Sequence, residues 1–140
     1  DIKVGSAVTV SGASYVGGVV GYADVDSQIE DAETAAVITG STYAGGIVGF
    51  AKGAAIEKAK ITGTGAVNGD SYVGGLAGSL SDSSSLTYSY ATVAVTGSGT
   101  AGYVGGLAGQ VNGGALSGSF YYCLDGVQAA SATANVGGLF

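Results

Sequence analysis

The chain has 140 residues, including 28 glycines but no histidine, proline, tryptophan or methionine, and its formal net charge is −6. Without histidine it cannot build a Ser-His-Asp triad, a Cys-His pair or a His-ligated zinc site. Four basic residues against ten acidic ones argue against a nucleic-acid interface. A hydrophobic content of 46% with only 10% charged residues predicts a folded chain of single-domain length.

Two long uncharged runs, 5–23 and 83–124, raise the question of a membrane-spanning helix. Serine, threonine, glycine and tyrosine interrupt both runs every few residues, so we expect no membrane insertion.

The chain opens on Asp1 with neither an initiator methionine nor a signal peptide, which predicts a processed or excised piece. The single cysteine, Cys123, has no internal disulfide partner, and we expect a small buried hydrophobic residue there.

The dominant pattern is a seven-residue motif that begins with tyrosine. It reads Tyr-Val-Gly-Gly-Val-Val-Gly from Tyr15, and similar copies begin at Tyr43, Tyr72 and Tyr103. Asn135 begins a fifth, truncated copy. Successive copies start 28, 29, 31 and 32 residues apart. A fixed motif at variable spacing predicts that one structural element is held in register while the loops change length.

Two further apolar columns follow the tyrosine motif in each copy, and each marks a short segment. Glycine costs about 1 kcal/mol relative to alanine inside a helix, and the apolar positions lack a 3.6-residue period, so strands are predicted rather than helices. Ile2 and Val10 fit the second and third columns ahead of the first tyrosine. The second column contains Ile29, Ile56, Leu86 and Leu116, and the third contains Ile38, Val67 and Val95.

The repeat therefore predicts an all-β fold, a right-handed parallel β-solenoid (β-helix) with three short strands in each coil of 28–32 residues. Equivalent positions of successive coils would stack about 4.8 Å apart. We expect about four and a half coils in a single repeat domain, 1–140. It would comprise a partial coil 1–14, full coils 15–42, 43–71, 72–102 and 103–134, and a partial coil 135–140.

Stacking explains why residue types persist by column. The four tyrosines that open the motif are expected to form an aromatic ladder. The glycine pairs are expected at a corner that requires positive φ in every coil, which glycine alone adopts readily. These structural corner glycines are Gly17, Gly18, Gly45, Gly46, Gly74, Gly75, Gly105 and Gly106.

The motif and the segments that follow it resemble the GLUG repeat. The resemblance rests on the heptad that begins at Tyr72, on Ser-Tyr-Ala-Thr at 89–92 and on Val-Thr-Gly at 95–97. Members of that family occur in bacterial surface adhesins, in large secreted proteins and beside the protease domain of IgA-specific metallopeptidases. The resemblance implies an extracellular or cell-surface repeat without a family-wide catalytic residue. The peptidase's His-Glu-x-x-His zinc motif is absent from a chain without histidine.

Aligning the second strands brings charged and aromatic residues of neighbouring coils together. Asp31 is placed beside Lys58 and Glu33 beside Lys60, although the same alignment also brings Glu30 next to Glu57. One interpretation is a face that grips a glycan or a partner protein. The other is a ladder of cross-strand pairs that sets the register, each worth about 0.2–1 kcal/mol. The proposed partner face contains Asp31, Glu33, Lys58, Lys60, Tyr88, Tyr90 and Phe120.

Other ligand sites have weaker patterns. The segment 24–30 alternates oxygen ligands that could suit calcium, but it lacks the glycine and the terminal glutamate of an EF-hand loop, so we expect an acidic turn and no cofactor. An ice-binding face needs two threonines per coil in register, whereas the relevant column reads Ser11, Thr39, Asn68, Thr96. No Gly-Lys-Ser/Thr follows the glycine pairs, which argues against a phosphate-binding loop.

These observations favour a non-enzymatic structural or adhesive module of a secreted bacterial surface protein, either a stalk or a fibre subunit. The alternative is a ligand-binding solenoid that uses one flat face for glycan or ice. The expected partners are a second copy joined head to tail or neighbouring repeats of a longer chain, and host or matrix glycan or protein. Uncapped ends would expose backbone groups and apolar columns. The assembly ends contain Ile2, Val10, Val136, Leu139 and Phe140.

Overall fold

The computed structural model describes residues 2–99, 102–130 and 135–139, and every regular element in them is a strand of two to five residues. Among these residues no helix has the length and apolarity needed to cross a membrane. The strands before Tyr72 are β1 Ile2–Val4, β2 Thr9–Gly12, β3 Tyr15–Gly17, β4 Val20–Ala23, β5 Gln28–Glu30, β6 Ala32–Thr34, β7 Val37–Gly40, β8 Tyr43–Gly45, β9 Val48–Lys52, β10 Ala55–Glu57, β11 Lys60–Ile61 and β12 Ala66–Gly69.

The remaining strands repeat the same order at the same relative positions. They are β13 Tyr72–Gly74, β14 Ala77–Ser81, β15 Ser85–Thr87, β16 Tyr90–Ala91, β17 Ala94–Gly97, β18 Tyr103–Gly105, β19 Ala108–Asn112, β20 Ala115–Ser117, β21 Phe120–Tyr121, β22 Val127–Ala129 and β23 Asn135–Gly137.

The strands stack into five parallel sheets that run along a solenoid of about four turns, as the sequence predicts for the fold class. Each coil visits the sheets in a fixed order, and we number them from the tyrosine strand. The first sheet contains β3, β8, β13, β18 and β23; the second β4, β9, β14 and β19; the third β5, β10, β15 and β20; the fourth β1, β6, β11, β16 and β21; the fifth β2, β7, β12, β17 and β22.

Each coil thus has five short strands where the sequence predicts three. The tyrosine motif bends at its glycine pair, so it supplies the first-sheet strand and begins the second-sheet strand. The second predicted segment breaks where Asp31, Lys58 and Tyr88 adopt φ values of 52°, 52° and 49°. Because of this break, Ile2 pairs with Ala32 in the fourth sheet, one strand later than its expected column beneath Ile29.

The core is a continuous apolar column inside the coils. Side chains at the centre of the third-sheet strands stack as Ile29, Ile56 and Leu86, and they are buried. The fifth sheet contributes the buried residues Ile38, Val67 and Val95 in the same way. Each coil therefore buries its apolar residues mainly against the coils above and below it, as in other solenoids.

The glycine pairs occupy a tight bend, but the reason differs from the predicted one. Neither Gly45 nor Gly74 has positive φ; described glycines with positive φ lie elsewhere, for example Gly53. A Cβ on Gly45 would lie 2.1 Å from the Val48 carbonyl oxygen, and one on Gly74 would lie 2.0 Å from that of Ala77. Close backbone approach within the bend, rather than a left-handed conformation, therefore requires glycine.

Replacing Gly45 or Gly74 by alanine should destabilise the protein by more than about 3 kcal/mol, because a backbone oxygen at these distances cannot move aside as a core side chain can. Gly5→Ala is the matched control, since its Cβ would have no neighbour within 4 Å. Thermal and urea unfolding followed by circular dichroism measure the effect. Stabilities of both bend variants equal to that of the control would contradict this account of the bend.

Candidate functional site

One outward column of the fourth sheet carries most of the charged and aromatic residues that the sequence singles out. Lys3, Glu33, Lys60, Tyr90 and Phe120 lie directly above one another in this order. The Glu33 carboxylate lies 3.1 Å from the Lys60 ammonium and 3.7 Å from that of Lys3. The Tyr90 and Phe120 rings stack with centroids 5.0 Å apart. The lower half of the column is therefore an ion-pair ladder and the upper half an aromatic one.

A second column lies two residues earlier, at the break between the third and fourth sheets. Asp31, Lys58 and Tyr88 each have positive φ, and Gly118 has the equivalent conformation in the next coil. Left-handed backbone favours glycine, so keeping a side chain there costs of order 1 kcal/mol per residue. Three exposed residues with left-handed backbone, Asp31, Lys58 and Tyr88, therefore form one ridge on the surface.

Lys58 does not form the ion pair with Asp31 that the alignment suggests. Its ammonium lies 3.1 Å from a Glu30 carboxylate oxygen and 3.4 Å from one of Glu57. Glu30 and Glu57 are directly paired in the third sheet, as the sequence alignment places them. The lysine therefore offsets the repulsion between two like charges that the register brings together.

Both lysines are held in their charged form. The hydrogen bond to Glu30, followed by the one to Glu57, raises the pKa of Lys58 above its ordinary value. The hydrogen bond to Glu33 raises the pKa of Lys60. The two ion-pair groups enclose a shallow depression of about 330 Å³, which is lined by Lys3, Asp31, Glu33, Lys58 and Lys60.

The tyrosines that open each motif stack along the first sheet. Tyr15, Tyr43, Tyr72 and Tyr103 follow one another with ring centroids 5.3, 4.7 and 5.3 Å apart and nearly parallel planes. Burial is the main cause that raises the pKa of Tyr43, and the rings of Tyr72 and Tyr15 add to it. The raised pKa keeps the Tyr43 phenol neutral at physiological pH.

A shorter aromatic column, which the sequence argument missed, lies beside the lower part of the tyrosine ladder. Tyr22 and Phe50 stack with centroids 5.5 Å apart, and the edges of their rings meet Tyr15 and Tyr43 at 5.4 and 5.0 Å. The signal was an aromatic residue seven positions after the first two tyrosines. Ser79 then takes the same place in the third coil, so the column changes from aromatic to polar.

The remaining predicted sites have simpler structures. Asp24 accepts a hydrogen bond from the Val25 N–H and Asp26 has a φ of 63°, which makes this segment a tight acidic turn. Within the described ranges no group of three or more His, Cys, Asp or Glu side chains could hold a metal ion. Cys123 is partly exposed rather than buried.

The column considered for ice binding stacks in the register that the sequence suggested. Ser11, Thr39, Asn68 and Thr96 follow one another and are continued by Gln128. Only two of these five side chains are threonines. The column therefore lacks the regular hydroxyl-and-methyl surface that an ice-binding face would present.

The predicted assembly residues lie at the two ends of the solenoid. Ile2 is 51% exposed, Val136 is 50% exposed and Leu139 is 47% exposed, whereas Val73 in the same column as Val136 is fully buried. Val10 is partly buried on β2. Phe140 lies outside the described residues. Apolar columns that are closed along the solenoid therefore open at both ends of the described structure.

Comparison with known families identifies one coil directly. Residues 69–96 match the family model of the GLUG motif. This confirms the resemblance to the GLUG-repeat family. The matched residues contain β13, β14, β15, β16 and most of β17, and the equivalent strands of the other coils stack on them in register. No curated protein and no solved structure matches the chain. A GLUG coil on a β-solenoid fits a structural repeat module.

The Glu33–Lys60 contact between neighbouring coils supplies a test of register. Reversing both signs together, with Glu33→Lys and Lys60→Glu, should preserve the melting temperature better than either single reversal, because each single reversal places like charges 3.1 Å apart. The same exchange at Asp31 and Lys58 is the control, since these side chains form no ion pair. Additive effects of the Glu33 and Lys60 reversals would show that the two side chains are not coupled.

Proposed function

We propose that the chain is a non-enzymatic structural module of a bacterial extracellular or cell-surface protein, and that it assembles end to end into a rod. One observation carries this proposal: among residues 2–99, 102–130 and 135–139, all five sheets end in an open strand edge, with β1–β5 at one end and β19–β23 at the other. Such edges present unpaired backbone N–H and C=O groups, which favour addition of further strands. The GLUG motif supports the extracellular assignment.

In the fourth, fifth and first sheets the two ends are complementary when the columns are continued from one copy to the next. β1, β2 and β3 of the upper copy would lie over β21, β22 and β23 of the lower one, in the parallel direction used within the solenoid. Val10 would then cover Val127, and Val16 would cover Val136. Lys3 would lie over the exposed ring of Phe120, where a cation–π contact is favourable. Because the two contacting surfaces differ, this head-to-tail contact does not close and produces filaments.

Concentration-dependent filaments should form and should be abolished by Val136→Lys combined with Leu139→Lys. Both side chains are about half exposed on the open end, and two charged groups there would have to be buried in the junction. Tyr88→Lys, on the side of the solenoid, is the matched control and should assemble normally. Light scattering and negative-stain electron microscopy provide the measurement. A wild-type chain that stays monomeric at high concentration would refute assembly through the ends.

A second function, binding of a glycan or partner protein, is favoured by the ridge of left-handed residues. Asp31, Lys58 and Tyr88 keep exposed side chains where glycine would be less strained, and strained backbone often accompanies functional sites. If the ridge binds a glycan, Tyr88→Gly should remove binding on a glycan array while the melting temperature stays equal or rises. Tyr22→Ser, on another face, is the control. Unchanged glycan binding by Tyr88→Gly would exclude the ridge.

A further inference from the structure

The outer surface of the fifth sheet differs from most of the solenoid because it carries no charge. β2, β7, β12, β17 and β22 contain no acidic or basic residue. Charged side chains occur instead on the third and fourth sheets, as in β5 and β11, and at the end of β9. The first sheet is also uncharged, but its three-residue strands present a single outward column, which the tyrosine ladder occupies. The fifth sheet is therefore the broad uncharged side of the described solenoid.

Two columns of uncharged side chains cover this surface, which we call the fifth-sheet face. Alternate residues of a strand point to opposite sides, so the neighbours of the buried residues Ile38, Val67 and Val95 point outward. The first outward column contains Thr9, Val37, Ala66 and Ala94. The second contains Ser11, Thr39, Asn68, Thr96 and Gln128. One column is thus mainly small and apolar, and the other is polar.

The distribution of charge favours a second solenoid as the partner of this face. The chain has a formal net charge of −6, so two copies repel each other when their charged sides approach. On the fifth-sheet face no charged group has to lose its water on contact, which avoids the largest cost of burying a surface. Sheets pack face to face about 10 Å apart. Two fifth-sheet faces are therefore the surfaces on which two such solenoids meet with little repulsion.

Symmetry selects the relative direction of the two solenoids. A two-fold axis along the solenoid would place the apolar column of one copy against the polar column of the other. A two-fold axis parallel to the strands places each column against itself, and the two solenoids then run in opposite directions. The polar columns can then pair through hydroxyl and amide groups, which both donate and accept hydrogen bonds. The favoured contact is therefore isologous and antiparallel.

We propose that the fifth-sheet face joins two solenoids side by side in opposite directions and so bundles the rods. Five strands about 4.8 Å apart, with about four residues of about 3.3 Å each, give one face an area of about 300 Å². A stable interface needs roughly 800 Å² from each partner, so one pair of copies is held weakly. In a rod the faces of successive copies continue in register, and about three copies reach the required area. The strength of bundling thus rests on the proposed end-to-end assembly.

Lysines on the face test the side-by-side contact. Wild-type rods should form bundles as added salt screens their net charge. Thr39→Lys with Thr96→Lys should leave single rods at every salt concentration, because like charges would meet across the polar columns. Thr87→Lys with Ser117→Lys, on the third sheet, is the matched control and should bundle like the wild type. Both pairs change the net charge alike, from −6 to −4. Negative-stain electron microscopy measures the widths. Wild-type rods that stay single, or bundles of the face variant, would overturn the proposal.

Mixing two charge variants tests the pairing of the columns. Thr39→Asp with Thr96→Asp should also give single rods. An equal mixture of the lysine and aspartate variants should bundle, because opposite charges then face each other across the polar columns. In solenoids that run in the same direction these residues would face the apolar column, so a mixture that stays single would overturn the antiparallel contact. Wild-type bundles that form only when a soluble polysaccharide is added would overturn a second solenoid as the occupant.

The end-blocked variant Val136→Lys with Leu139→Lys separates this inference from end-to-end assembly. Without rods, the weak contact should shift the amide resonances of 37–39, 66–68 and 94–96 as the protein concentration rises into the millimolar range. Adding Thr39→Lys and Thr96→Lys should remove these shifts. Unchanged resonances, or shifts confined to the third sheet, would overturn the proposal. Shifts on the face in a wild type that forms no rods would contradict end-to-end assembly alone, and rods without bundles would contradict the side-by-side contact alone.

Discussion

The structure depends on how closely the backbones of successive coils approach at the glycine bend. At each bend two consecutive N–H groups bond to a single carbonyl of the coil above. Those of Ile47 and Val48 both donate to the Leu76 oxygen, at 2.9 and 3.0 Å. The second glycine of the pair makes this possible, since a Cβ on Gly46 would lie 2.2 Å from the Gly75 oxygen. The bend thus fixes the vertical position of every coil relative to the next.

Once the bend fixes the register, each remaining strand residue of an inner coil lies directly between the equivalent residues of the coils above and below. Identical apolar residues then pack well, and tyrosines stack. Like charges, however, are also brought together, as Glu30 and Glu57 are. The ammonium of Lys58, a residue with left-handed backbone, pairs with both carboxylates and reduces their repulsion. Buried serines supply hydrogen-bond partners to buried backbone groups. The Ser89 hydroxyl accepts a hydrogen bond from the Ala59 N–H at 2.9 Å and donates one to the Thr87 carbonyl. The outer surface of this scaffold is therefore built from columns of stacked side chains.

The sequence predicts those features that repeat by column. The tyrosine ladder, the apolar columns and the placement of Glu33 beside Lys60 all follow from aligning the copies. The division into five strands does not, because the corner at Asp31, Lys58 and Tyr88 is marked by a glycine only in the next coil, at Gly118. The aromatic pair of Tyr22 and Phe50 was missed because Ser79 ends the pattern after two copies. A column of glycines gives the same sequence pattern whether glycine is required by positive φ or by close backbone contact. The backbone geometry distinguishes these two causes.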